Sequence, residues 1–242
     1  MSAPQHSIRL FRFLGITVYL HWLWFAVAAY QLDRRADLYP SPIWSAAEYL
    51  GLFLLVLMHE YGHALACRST GGEARQILLW PLGGIAYVAP PNRPGAVLWS
   101  IAAGPLVNVA LLPVFWLAKQ AALSAGWLVT IPSAVQLLET LSIINLVLLI
   151  FNLLPIFPLD GGQILRALLW FPLGAVKSLV IASGIGMFGA VALVALAVVM
   201  RDFWLGLIAF FALSQSWAGF QQARLIAKME RQAREAREGS LF

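Results

Sequence analysis

The chain has 242 residues, of which 61% are hydrophobic and 11% charged, with a net charge of +5. Soluble domains carry about 25% charged residues, and here the apolar residues run in long blocks, which excludes a soluble globular domain. The cations flank those blocks and fill the C-terminal tail, which excludes a nucleic-acid-binding surface, and the single cysteine, Cys67, excludes an intramolecular disulfide framework.

In chain order, Arg9 and Arg12 lead into a first apolar block with no small-residue cleavage site before it, so no cleavable signal is expected. A helix over roughly Phe11–Leu32 is the first expected span. It holds His21-Trp22-Leu23-Trp24, whose aromatics suit an interface or a packed helix face. His21 has no partner at metal-ligand spacing, so a structural hydrogen bond competes with a ligand role. A polar loop with Pro40 and Pro42 follows.

The second expected span, about Ile43–Cys67, carries His59-Glu60-Tyr61-Gly62-His63. Residues four apart share a helix face, so His59 and His63 suit one metal ion. Glu60 points about 100° away, within reach of a metal-bound water. Two imidazole ligands and a carboxylate base are the arrangement of a zinc hydrolase. His59 falls about 24 Å along this helix. Ionisable groups at that depth are costly and mark function.

Next, Gln76–Trp80 and Ile85–Val88 flank Pro81-Leu82-Gly83-Gly84, the pattern of a β-hairpin. An edge strand beside a metal site suits pairing with an extended peptide; a plain connecting hairpin is the competing reading. The third span, about Gly95–Leu117, contains Gly104-Pro105-Leu106-Val107-Asn108. Gly104 permits close approach and Pro105 bends the helix. Asn108 serves either as glue between helices or as a wall of the active site. Gln120–Leu138 reads as a loop with an interfacial piece.

The fourth span, about Ser133–Ile156, runs into Asn152-Leu153-Leu154-Pro155-Ile156-Phe157-Pro158-Leu159-Asp160-Gly161-Gly162. Backbone broken by two prolines at membrane depth survives where it lines a cavity. Catalytic zinc takes three protein ligands and a water; Asp160 is the natural third, and capping the helix from Gln163 is compatible with that. Asn152 suits a hydrogen bond to a substrate carbonyl or oxyanion. A short amphipathic helix, Gln163–Phe171, precedes spans five and six, about Ala175–Met200 and Phe203–Phe220. Gly184, Gly186 and Gly189 suggest close packing there, without chemistry. The tail, Gln221–Arg237, reads as a basic helix with Glu230/Arg234 and Arg231/Glu235 at i,i+4.

The expected fold is therefore an all-α polytopic membrane protein of six transmembrane helices, with a short membrane-associated β-hairpin after the second. Residues 1–220 form the membrane domain and 221–242 a basic cytoplasmic C-terminal helix. Arg9, Arg12, Arg68, Arg75 and the tail arginines lie on one side, against Arg34, Arg35, Lys119 and Arg201 on the other. The positive-inside rule then places both termini in the cytoplasm.

His59-Glu60-Tyr61-Gly62-His63-Ala64, Pro81-Leu82-Gly83-Gly84, Gly104-Pro105-Leu106-Val107-Asn108 and Asn152-Leu153-Leu154-Pro155 through Asp160-Gly161-Gly162 occur in that order. Together they resemble the site-2 protease family of intramembrane zinc metalloproteases (peptidase family M50), in its six-span, SpoIVFB-like branch without CBS or PDZ domain. The resemblance implies one Zn2+ per chain held by His59, His63 and Asp160, with Glu60 as base and Asn152 holding the substrate backbone. Asn108, Gly83 and Gly84 are the expected substrate-binding positions. The implied activity is hydrolysis of peptide bonds in or near transmembrane segments, in regulated intramembrane proteolysis. The expected partners are a transmembrane protein substrate and the lipid bilayer, with no nucleic acid; a homo-oligomer is left open. A prokaryotic inner membrane is the expected location. The alternative is a non-proteolytic zinc-binding membrane protein, a metal carrier or assembly factor, which would have no need of Glu60.

Overall fold

The computed structural model describes residues 6–34, 39–80, 83–157 and 159–239. The chain divides into two compact units, one of residues 1–92 and 99–151, the other of residues 93–98 and 152–242.

The first unit opens with strands rather than a helix. β1 (Ser7–Phe13) and β2 (Ile16–His21) form an antiparallel hairpin, and the helix α1 (Leu23–Arg34) starts after it. The expected helix from Phe11 is thus corrected over its first half. Ile16, Val18 and Leu20 alternate on one face and are buried, the period of a half-buried strand, and β-branched and aromatic residues favour it. Phe13 pairs with Ile16 across a two-residue turn, Leu14-Gly15, both at positive φ (49° and 74°). That is the backbone of a type I′ hairpin. Arg68 donates to the Leu14 and Gly15 carbonyls and pins the turn.

α2 (Pro42–Ser69) is 28 residues long. Pro42 at its first position and Ser41, whose hydroxyl accepts the Ile43 N–H, set its start. The expected hairpin follows as β3 (Glu73–Trp80) and β4 (Gly83–Ala89); its tip, Pro81-Leu82, lies outside the described residues. The hairpin is half of a larger sheet. β2 pairs in parallel with β3, giving the four-stranded order β1-β2-β3-β4. Ile16, Val18, Leu20, Ile77 and Leu79 of this sheet pack with Val56, Leu57, Ala64 and Cys67 into one core. The sheet therefore covers the half of α2 that carries the histidines.

α3 (Pro94–Ser124) runs on to Ser124, with Pro105 and Pro113 inside it; α4 (Trp127–Thr130) is one short turn, and α5 (Pro132–Asn152) follows at once. Much of the stretch expected as a loop is therefore helical. α3 lies close against α2: a Cβ on Gly62 would stand 2.7 Å from the Ala103 carbonyl oxygen.

In the second unit, non-helical backbone after Asn152 leads to α6 (Asp160–Leu173), α7 (Ala175–Met200) and α8 (Phe203–Gly239). The expected break comes at Asn152, four residues earlier than placed. α8 continues without interruption past residue 220, so the basic tail is its C-terminal part; the side chains of the expected pairs Glu230/Arg234 and Arg231/Glu235 lie outside the described residues. Gly186, Gly189 and Gly219 have a specific use. A Cβ on Gly186 would stand 2.7 Å from Phe157 N, one on Gly189 2.6 Å from Ile156 Cγ1, and one on Gly219 3.3 Å from Phe157 Cε1. Ser216 donates to the Phe157 carbonyl. Spans expected to carry no chemistry are thus the seat of the broken segment before Asp160. On α6, burial lowers the pKa of Arg166, which a guanidinium tolerates without losing its charge.

Candidate metal centre

His59, Glu60 and His63 are all buried on α2. Each imidazole is held by its Nδ1. His63 Nδ1 lies 2.9 Å from the Ser100 carbonyl oxygen, and His59 Nδ1 lies 2.6 Å from Asn108 Oδ1. Both partners are oxygens that only accept, so both Nδ1 atoms donate. Each ring then keeps its lone pair on Nε2. The two Nε2 atoms face each other at 3.1 Å, with the rings nearly perpendicular (84°). Two lone pairs at that distance repel unless a cation lies between them. Nitrogens about 2.0–2.1 Å from a tetrahedral zinc stand about 3.3 Å apart, so the imidazole pair fits zinc.

Gly104 makes the space. A Cβ there would lie 2.3 Å from His63 Nε2 and 2.8 Å from His59 Nε2, inside the region a metal needs. Gly84 plays the same part for the carboxylate: a Cβ would lie 2.3 Å from Glu60 Cγ and 2.5 Å from Glu60 Oε1. The first residues of β4 therefore run directly against Glu60. Gly83, with φ 145°, begins that strand in a conformation that favours glycine.

Of the sequence-expected residues, the first unit brings together His59, Glu60, His63, Asn108 and Gly84. Asp160 and Asn152 belong to the second unit. Asp160 is the buried first residue of α6, where the helix dipole favours an ionised carboxylate. Gly161 and Gly162 let the broken backbone fold onto this helix end: their Cβ atoms would stand 2.2 Å from the Leu153 carbonyl oxygen and 2.5 Å from Phe157 N. Asn152 is the last residue of α5. His21 takes the structural role, its Nδ1 accepting the Leu23 N–H at the start of α1 (3.3 Å). Two contributors escaped the sequence reading. The Ser100 carbonyl carries no side-chain signal. Asn145 did: it is a lone amide in an apolar run, and it proves to be bonded to Asn108.

The sequence matches the family model described as peptidase family M50 over residues 47–126 and 122–196. The chain belongs to peptidase family M50. The M50 match encloses His59, Glu60, His63, Asn108, Asn145 and Asp160. Among M50-like relatives, a zinc metalloprotease of Methanocaldococcus jannaschii is 33% identical over 228 residues, covering 93% of this chain and 63% of that protein. Stage IV sporulation protein FB of Bacillus subtilis is 36% identical over 120 residues, 48% of this chain and 38% of that protein. The solved structure of a site-2 protease from Methanocaldococcus jannaschii superposes with a TM-score of 0.63 at 31% identity, covering 88% of this chain and 95% of that one. The chain spans 63% of the length of the first of these relatives. Among the described residues, α2, α3, α5 and α7 are long and apolar enough to cross a membrane, and this M50 member is an integral membrane protein.

Proposed function

We propose that this chain is a zinc-dependent endopeptidase that cuts other membrane proteins in or near their transmembrane segments. The observation that carries the reading is the pair of Nε2 lone pairs, 3.1 Å apart beside buried Glu60, on a helix of membrane-spanning length. Asp160 supplies the third protein ligand. Two imidazoles and one carboxylate, all buried, are a donor set for catalytic zinc, and relatives bear the name zinc metalloprotease.

Zinc, when bound, supplies Lewis acidity that polarises a carbonyl and lowers the pKa of a water toward about 7. Glu60 takes the proton of the attacking water and delivers it to the leaving amine. The Asn152 amide donates to the charge that develops on the carbonyl oxygen. β4 is an edge of the sheet, and an extended peptide added to it would run past Gly83 and Gly84 toward Glu60. The substrate segment must therefore be unwound, since a helical carbonyl is already bonded.

Six crossings fit the topology. Because β2 pairs in parallel with β3, both strands start at the end of the sheet beside the C-terminus of α2, and the chain leaves β2 at the opposite end, part-way along α2. Trp24, at the start of α1, packs on Tyr49 and Phe53, midway along α2. The 12 residues of α1, about 18 Å, then need to climb only the remaining half, with β2 flanking the rest. α8 contributes the sixth crossing. Both termini then face the cytoplasm of a prokaryotic inner membrane, with residues 1–220 as the peptidase domain and 221–242 as its basic tail.

The test is Glu60→Gln. The variant should retain zinc and lose cleavage of a membrane substrate. Cleavage at the parental rate removes Glu60 from the reaction, whereas a zinc-loaded parent that cleaves no membrane substrate makes a metal carrier the better reading.

A further inference from the structure

We propose that Asn145 is a positioning residue for the metal centre: acting through Asn108, it sets the proton of His59 on Nδ1, so that Nε2 carries the lone pair that binds metal. This rests on the reading of His59 as a ligand. The argument starts from a backbone atom. The Asn108 carbonyl oxygen can only accept, and Asn145 Nδ2 lies 2.9 Å from it, so that end of the Asn145 amide is the NH2. Its other end, Oδ1, is then an acceptor, and Asn108 Nδ2 donates to it at 2.8 Å. With its NH2 committed to Asn145, Asn108 presents Oδ1 to His59 Nδ1 at 2.6 Å. His59 Nδ1 must donate, and Nε2 keeps its lone pair.

Both asparagines are fully buried, which removes water as a competing partner. A planar amide has two nearly isosteric orientations. Without Asn145, nothing in this chain of bonds selects the one that turns Oδ1 to His59. The flipped amide would offer a donor to Nδ1, drive the proton to Nε2 and block ligation. Ligating histidines are commonly fixed by the partner of their other nitrogen; here the partner is itself oriented from a third helix, α5. Gluing α3 to α5 is the plain alternative. Glue explains the Asn108–Asn145 bonds but requires no particular proton on His59.

The experiment uses the full chain in detergent or bilayer discs, with ring-15N histidine. Zinc affinity is read by chelator competition, and the His59 tautomer by NMR of the zinc-free protein. Asn145→Leu should weaken zinc about 10- to 100-fold and shift His59 toward the Nε2–H form. Asn145→Asp, neutral when buried, still accepts from Asn108 Nδ2 and donates to the Asn108 carbonyl, and should bind zinc within a few-fold of the parent. Asn108→Asp offers His59 an oxygen in either rotation, so in that background Asn145→Leu should cost little affinity. Where Asn145→Leu does not fold, Asn145→Ser, too short to bridge both Asn108 atoms, replaces it with the same expectation. Unchanged affinity and tautomer in Asn145→Leu or Asn145→Ser, with only a lower melting temperature, would leave glue as the whole role and overturn the proposal. His59→Ala separates the two readings: it must lose zinc if His59 is a ligand at all. Loss there without loss in the Asn145 variants refutes only the positioning role.

Discussion

Replacing Gly104 by alanine adds one methyl group to a helix, yet it should empty the metal centre. The new Cβ would stand 2.3 Å from His63 Nε2, 2.4 Å from His63 Cε1 and 2.8 Å from His59 Nε2, where ordinary contact begins at 3.4 Å. His63 must therefore retreat by about 1.1 Å and His59 by about 0.6 Å, because a close-packed interior has no slack to absorb the methyl. Neither ring is free to do so. His63 is tied to the Ser100 carbonyl at 2.9 Å and His59 to Asn108 at 2.6 Å. α3 cannot back away cheaply, since it meets α2 at Gly62 with no room for a Cβ. Metal–ligand distances tolerate about 0.2 Å, so zinc affinity should fall by more than the roughly 100-fold that outer-shell changes cost. The helix itself should not suffer, because alanine is favoured over glycine by about 1 kcal/mol in a helix interior. Zinc per chain and chelator-competition affinity, with circular dichroism as the folding control, make the assay. A folded Gly104→Ala protein that keeps parental zinc stoichiometry and affinity would refute the packing argument.

Gly84→Ala should do the converse, since its methyl would stand 2.3 Å from Glu60 Cγ. Zinc stays, while turnover drops about 100-fold, the typical cost of a misplacement near 1 Å; parental turnover would show that Glu60 adapts freely. Asp160→Ala should lower zinc occupancy and abolish cleavage, and full occupancy would remove Asp160 from the ligand set. Arg68→Ala, which loses the bonds to the Leu14 and Gly15 carbonyls, should destabilise the chain by about 1–3 kcal/mol. A thermal melt indistinguishable from the parent would mean the β1–β2 turn holds itself.

The chemistry was legible in the sequence because helix periodicity is local. The spacing of four from His59 to His63 puts both imidazoles on one face wherever the helix goes, and the length of the apolar run around them speaks for the membrane. The hairpin at Gly83-Gly84 was legible through its glycines. The first hairpin was not, because an apolar run with few polar residues suits a buried strand as well as a helix. Burial of Ile16, Val18 and Leu20 against α2 decided it.

The sequence by itself determined the donor atoms, their spacing and their apolar setting, all properties of a single helix and its composition. Only the tertiary structure decided which nitrogen of each histidine carries the proton. That depends on acceptors far away in the chain, the Ser100 carbonyl and Asn108 Oδ1, and on Asn145 behind Asn108. It also decided what the small residues are for. Gly104, Gly84 and Gly186 each stand where a particular neighbour leaves no room for a Cβ. Hydrogen-bond direction and close approach are relations between segments, and no local pattern carries them.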